Sequence, residues 1–203
     1  MNAEEELLRR VNSVLHTNKR CILGIDGLSR AGKTTLVKRI ASMLTEKEIE
    51  TTVIHLDDHI VERSKRYNTG QEEWQEYYSL QWDVNSLVKS LFDNLLHSDE
   101  IEISYYDNET DQHVNRTLNL VYKKVIIVEG IFLQREEWRP YIDFTVFIDC
   151  PRDVRFAREN SQTQLNIEKF RNRYWKAEDY YMEKLHPVEK ADLVVPYTQL
   201  MND

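Results

Sequence analysis

The chain has 203 residues, a formal net charge of −8, 41% hydrophobic and 31% charged residues, and two cysteines. That length supplies a substantial core for one domain, expected over residues 1–203, while the acidic balance without a long basic run argues against non-specific binding to nucleic acid or an anionic membrane. No apolar stretch is long enough to span a bilayer, and Met1-Asn2-Ala3-Glu4-Glu5-Glu6 is unlike a signal peptide, so a cytoplasmic protein with buried free thiols at Cys21 and Cys150 is expected.

Residues 4 to 16 carry Leu7, Leu8, Val11, Val14 and Leu15 at helical spacing and predict an amphipathic surface helix. The apolar run from Ile22 to Ile25 predicts a buried strand. Gly27-Leu28-Ser29-Arg30-Ala31-Gly32-Lys33-Thr34 follows, and then Thr35 and the helically spaced Leu36, Val37, Ile40, Ala41 and Leu44. Strand, Gly-x-x-x-x-Gly-Lys-Thr loop and helix in that order form the P-loop pattern. Its chemistry is anion binding: Gly27 and Gly32 let the backbone curl its N–H groups inward, and the helix starting near Lys33 adds the positive end of its dipole. Lys33 is placed to reach the outer phosphates of a triphosphate, and Thr34 to hold Mg²⁺.

Thr51 to Leu56 predict a second strand, ending in Asp57-Asp58. Carboxylates at the carboxyl end of such a strand face the ligand crevice of an open α/β sheet, where one can hold a Mg²⁺-bound water and one can accept a proton from a hydroxyl; the same pair also suits a helix cap. Residues 60 to 82 are polar and aromatic, with Gly70 breaking two short helices. Trp74, Tyr77 and Tyr78 share one face there and suit core packing. Asp83 to His97 predict one further helix, and the alternating segments 100–106 and 113–120 a hairpin, a small flap over about 100–120. The continuous run Val125 to Val128 predicts a central parallel strand buried on both faces. It ends in Glu129, placed to act on Mg²⁺ or orient an acceptor, or to pair with Lys33 or cap the following turn.

Phe144 to Asp149 predict a fourth strand, and Pro151 introduces a helix with Arg152, Arg155 and Arg158 spaced three apart. Arginines there can reach a transferring phosphoryl from a lid, expected over about 152–170, or form a basic solvated face. A long helix is predicted over 164 to 185, ended by Pro187, and a fifth strand over Leu193 to Val195. No Asn-Lys-x-Asp guanine motif and no Leu-Ser-Gly-Gly-Gln signature occurs. The alternation of strands and helices predicts an α/β fold: a three-layer α/β/α P-loop NTPase sandwich around a five-stranded parallel sheet.

Taken together, these segments resemble the uridine kinase family, among the P-loop nucleoside kinases related to nicotinamide riboside kinase. The resemblance runs from about Ile22 to Pro196 and rests on the loop 27–34, Asp57-Asp58, Gln81-Trp82-Asp83-Val84, Tyr106-Asp107, Val128-Glu129-Gly130-Ile131, Arg173-Tyr174 with Tyr181, and Ala191 to Pro196. It implies strand order 2-3-1-4-5 and an ATP- and Mg²⁺-dependent kinase acting on a primary hydroxyl, the 5′-OH of a ribonucleoside-like small molecule. Gly27, Ser29, Arg30, Ala31, Gly32, Lys33, Thr34 and Thr35 would bind the nucleotide, with Thr34, Asp57 and Glu129 around the metal. Asp57 is the expected base, Lys33, Arg155 and Arg158 the expected catalytic cations. Asp83 would hold the ribose diol, with Asp58, Trp82, Tyr106 and Asp107 also at the acceptor. A homo-oligomer is compatible with the resemblance. The chain departs from the family at Arg30 and Ala31, where small residues are usual, and at Asp111, where a pyrimidine-contacting His is usual and His113 stands two residues on. It also lacks the second basic cluster of the lid, near Ser161-Gln162-Thr163-Gln164. Pantothenate or nicotinamide riboside as acceptor, and a nucleotide-binding regulatory module without phosphotransfer, are the alternatives.

Overall fold

The computed structural model describes residues 3–15 and 20–200; residue 16 of the first expected helix lies outside them. Strands are β1 Cys21–Gly27, β2 Thr51–His55, β3 Glu100–Asp107, β4 Gln112–Asn119, β5 Val125–Gly130, β6 Phe144–Asp149 and β7 Leu193–Pro196. The helices are α1 Ala3–Leu15, α2 Lys33–Glu46, α3 Arg63–Arg66, α4 Glu73–Ser79, α5 Val84–Ser90, α6 Arg152–Ala157, α7 Ser161–Gln164, α8 Ile167–Lys169, α9 Lys176–Leu185 and α10 Pro187–Lys190. Five strands form one parallel sheet in the order β2-β5-β1-β6-β7. Numbered among themselves, that is the 2-3-1-4-5 order the resemblance implies.

The sheet is central because its middle strands have apolar side chains on both sides. In β5, Ile126 and Val128 face a core shared with α4, α5 and α9, while Val125 and Ile127 face one shared with α1 and α2. Alternation of side chains across the pleat divides the two cores, giving the expected three layers. β3 and β4 pair only with each other as an antiparallel hairpin. Ile101 and Ile103 seat it on the first core. His59 and His113 tie it down: His59 Nδ1 donates to Ser104 O (2.8 Å), and His113 Nε2 lies 2.9 Å from Ile60 O.

Two expected helices are broken. The one over 83–97 stops at Ser90 and continues as a 3-10 turn over Phe92–Asn94. Asn94 Nδ2 donates to Lys89 O (2.8 Å) and Ser90 O (3.3 Å), satisfying end carbonyls that a longer helix would use internally. The 164–185 helix is α7, α8, a π-helical turn over Phe170–Trp175, and α9. α9 stops at Leu185, because His186 turns into the left-handed region (φ 48) ahead of Pro187. Gly70 (φ 86) separates α3 from α4, as expected.

Candidate active site

β1 delivers the chain to a tight loop, and α2 leaves it. Gly32 caps α2 at φ 110, a left-handed conformation that side chains resist, and a Cβ there would also stand 3.1 Å from Leu200 Cδ1. No side chain caps α2, so its first turn presents backbone N–H groups and dipole to whatever lies before it. The Lys33 Nζ folds back onto Gly27 O (2.9 Å) and Leu28 O (3.2 Å). Below the loop, the buried Asp26 accepts from Gly27 N, Leu133 N, Gln134 Nε2 and the Tyr181 hydroxyl, which fastens β1 to α9 and to the segment after β5.

In front of the loop is a cavity of about 530 Å³. Residues 29 to 35 line it together with Asp57, Tyr77, Glu129, Ile131, Arg158, Glu159 and Leu200. Asp57 reaches it from the 3-10 turn Leu56–His59 that follows β2. Glu129 reaches it from the end of β5, where Gly130 permits close packing: a Cβ there would lie 2.8 Å from Leu56 Cδ1.

The polar groups are strongly coupled. Thr34 Oγ1 donates to Glu129 Oε1 (3.0 Å), and His55 Nδ1 lies 2.6 Å from the same oxygen. Burial works to raise the Glu129 carboxyl, but the His55 hydrogen bond and the charges of His55 and Lys33 outweigh it and hold it below the usual range. Asp57 opens to the cavity, yet protein crowds its other sides. This loss of solvent raises its carboxyl; the Lys33 charge opposes the rise, and the Glu129 and Asp58 carboxylates add to it. Loss of solvent lowers the Lys33 ammonium against the pull of Asp57, Asp26 and Glu129. The site thus holds one enclosed cation, an anion nest and two carboxylates. Thr34, Asp57 and Glu129 bring three hard oxygen donors to one cavity, a donor set that suits Mg²⁺ when phosphate and water complete its shell. Among the described residues no cluster of three or more His, Cys, Asp or Glu side chains forms a protein-only metal cage.

The expected site residues do not all meet here. Ser29 to Thr35, Asp57, Glu129 and Arg158 border this cavity. Gly27 lies behind it as the acceptor of Lys33. Arg155 is buried against Glu178. Asp83 caps α5 by accepting from Ser86 N (3.0 Å) and borders a smaller cleft of about 170 Å³ with His59, Glu62, Lys65 and His113. Trp82 is buried, its Nε1 donating to Leu56 O (2.8 Å). Tyr106 donates its hydroxyl to Asp111 and accepts from Arg66. Asp107 accepts from Glu109 N and Thr110 Oγ1 in the hairpin turn. Asp58 is exposed beside Asp57. Three lining residues carried no site signal in the sequence: Tyr77, Glu159 and Leu200. The same holds for His55 on Glu129. Its position two residues before Asp57, at the carboxyl end of a strand, was the available sign.

Comparison with known proteins agrees with the fold. The model of the phosphoribulokinase / uridine kinase family matches residues 22–196. The solved structure of a possible uridine kinase from Bacillus stearothermophilus superposes with a TM-score of 0.78 at 49% identity, covering 93% of this chain and 98% of that one. The uridine kinase of Borrelia duttonii is 28% identical over 187 residues, 86% of this chain and 85% of its own. That of Halalkalibacterium halodurans is 28% identical over 185 residues, with the same coverage.

Proposed function

The chain belongs to the phosphoribulokinase / uridine kinase family and is an ATP-dependent phosphotransferase acting on a small molecule; from that premise we propose that its acceptor is the primary 5′-hydroxyl of a ribonucleoside-like compound. One observation carries the catalytic part: Asp57, Lys33 and Thr34 line a single cavity, so a carboxylate faces the place where the loop would hold the outer phosphates. In this reading the N–H groups of residues 29 to 35 and the Lys33 ammonium cradle the triphosphate, and Asp57 accepts the proton of the attacking hydroxyl. Thr34, Asp57 and Glu129 would hold Mg²⁺, which when bound supplies charge neutralisation across the phosphates. Arg158, an exposed lining residue, would meet the negative charge of the phosphates. Positioning and electrostatics do most of the work in phosphoryl transfer, and the loss of solvent that raises the Asp57 carboxyl works in the direction of a stronger base. Such a reaction belongs in the cytoplasm, where ATP and the acceptor are both found.

The test is Asp57→Asn, assayed for ATP consumption against a panel of nucleosides. A general base contributes about 10²–10⁴ in rate, so turnover falls by that factor while ATP binding persists. Near-wild-type turnover overturns the base assignment. A second reading, an alcohol without a ribose diol such as pantothenate, is favoured by one observation: Asp83 is engaged as the α5 cap and borders a cleft separate from that of the loop. The same panel, extended to such alcohols, separates the two.

A further inference from the structure

Arg30 sits in the left-handed region (φ 62) at the mouth of the loop, a conformation that non-glycine residues adopt at a cost. Its side chain and its main chain engage two consecutive residues. The guanidinium makes a two-point contact with Glu159, Nε to Oε1 at 2.8 Å and Nη2 to Oε2 at 2.9 Å. The Arg30 carbonyl accepts from Arg158 Nη1 at 2.7 Å. Consecutive residues just past α6 are therefore held by one loop residue, one through its main chain and one through its side chain.

Beyond these contacts the held segment has few anchors: Gln164 Nε2 donates to Glu159 O (2.9 Å) and Phe156 O (3.2 Å). α6 spans six residues, Arg152–Ala157, and residues 158 and 159 hang from it by single backbone bonds to Arg155 O (3.2 Å) and Phe156 O (3.0 Å). The Glu159 side chain is only 10% exposed although it lines the cavity. Arg158 is exposed, yet its Nη1 stands 3.8 Å from where a Cβ on Gly32 would be, at the start of α2. Its guanidinium also lies over the Tyr197 ring, 5.8 Å from the centroid.

We propose that Arg30 is a positioning residue: by pinning Glu159 it fixes the end of α6 and aims Arg158 into the phosphate cavity. The loop thereby helps to order, in a chain with a short lid, the one lid cation that borders the nucleotide cavity. This rests on the kinase reading given above. Arg30 acts through Arg158 and not on the phosphates directly, because its own guanidinium is committed to Glu159.

The experiment measures MgATP dissociation constant, ATP KM, kcat and thermal midpoint for the wild type, Arg30→Asn, Arg30→Lys, Glu159→Gln, Arg158→Ala and the Arg30→Asn/Arg158→Ala double variant. Asn is chosen because it tolerates the left-handed backbone. Partly exposed ion pairs set the scale of the coupling, so Arg30→Asn and Glu159→Gln each weaken MgATP binding by about three- to fivefold. The thermal midpoint stays near wild type, kcat changes less than KM, and Arg30→Lys recovers part of the loss. In the Arg158→Ala background Arg30→Asn adds nothing further. A lowered midpoint with unchanged ATP binding makes Arg30 a staple only and overturns the proposal. An undiminished effect of Arg30→Asn without Arg158 makes Arg30 a direct ligand and also overturns it. A wild-type protein that binds no MgATP overturns the kinase reading itself, which the first measurement separates from the other two results.

Discussion

Arg155 and Glu178 meet in the interior as a two-point ion pair, Nη1 to Oε1 at 2.9 Å and Nη2 to Oε2 at 3.0 Å, with side chains 5% and 1% exposed. Between them they also hold both main-chain polar groups of one loop residue: Ser29 N donates to Glu178 Oε1 (3.2 Å), and Arg155 Nη1 donates to Ser29 O (3.0 Å). Burial pushes the Glu178 carboxyl up, and the Arg155 charge and hydrogen bond pull against that rise. The pair therefore clamps the phosphate loop onto α6 and α9.

Removing one member of a buried pair strands the other charge, so Arg155→Ala is expected to lower stability by about 3–5 kcal/mol. Replacing both, as Arg155→Met with Glu178→Leu, keeps volume and removes both charges, and its stability returns most of the way to wild type. Urea unfolding of the two variants reads this directly. An Arg155→Ala protein as stable as wild type but without turnover would instead assign Arg155 to the transferring phosphoryl.

His59 gives a pH dependence with a definite sign. It is buried in the 3-10 turn after β2, with Nδ1–H on Ser104 O and its ring 4.7 Å from that of Tyr105. Burial lowers its pKa below 6.5; the Ser104 hydrogen bond and Asp58 oppose this, while His113 and His55 add to it. With the folded value below the unfolded one, the unfolded chain takes up the proton first as pH falls. The contribution of His59 is therefore complete above about pH 6.5 and is lost as pH drops from there through the folded value. Thermal midpoints at pH 7.5 and 5.5 check it: His59→Asn, which keeps a donor for Ser104 O, shows a smaller acid loss than wild type. Equal losses in both proteins remove His59 as a source. Comparing variants cancels His55, whose pKa is raised by its Glu129 hydrogen bond and whose linkage runs the other way.

What the sequence shows follows from what is local. The phosphate loop needs consecutive residues, and strands buried on both faces need apolar runs such as 125–128, so both are readable along the chain. The pairs that shape the site are not local. Arg155 finds Glu178 and Arg30 finds Glu159, 129 residues away. Arg173 is buried on Glu76, 97 residues away, with its guanidinium 4.2 Å from the Tyr67 ring centroid. A charged residue in a sequence does not name its partner, so three equally spaced arginines on and just past α6 read alike. Packing separates them: Arg155 goes inward, Arg152 lies over Trp175 with Asp179, and Arg158 faces the cavity. The helix end at Ser90 and the π-helical turn at Phe170 were hidden because helical periodicity continues across both.

Asp83 separates a structural from a substrate role most cleanly. Its Oδ1 accepts from Ser86 N as the cap of α5, and the rest of the side chain is exposed to the 170 Å³ cleft beneath the hairpin. Ser also caps helices well, so Asp83→Ser keeps stability near wild type whereas Asp83→Ala costs about 1 kcal/mol. Hydrogen bonds to a charged group are worth about 1.5–3 kcal/mol, so if Asp83 receives a ribose diol, Asp83→Ser raises the acceptor KM by about ten- to a hundredfold. ATP KM stays unchanged, and the wild type discriminates against a 2′-deoxy acceptor by a similar factor that the variant loses. An Asp83→Ser enzyme with wild-type acceptor KM and undiminished preference for the ribose form reduces Asp83 to a helix cap and moves the sugar contacts to the residues facing Asp57.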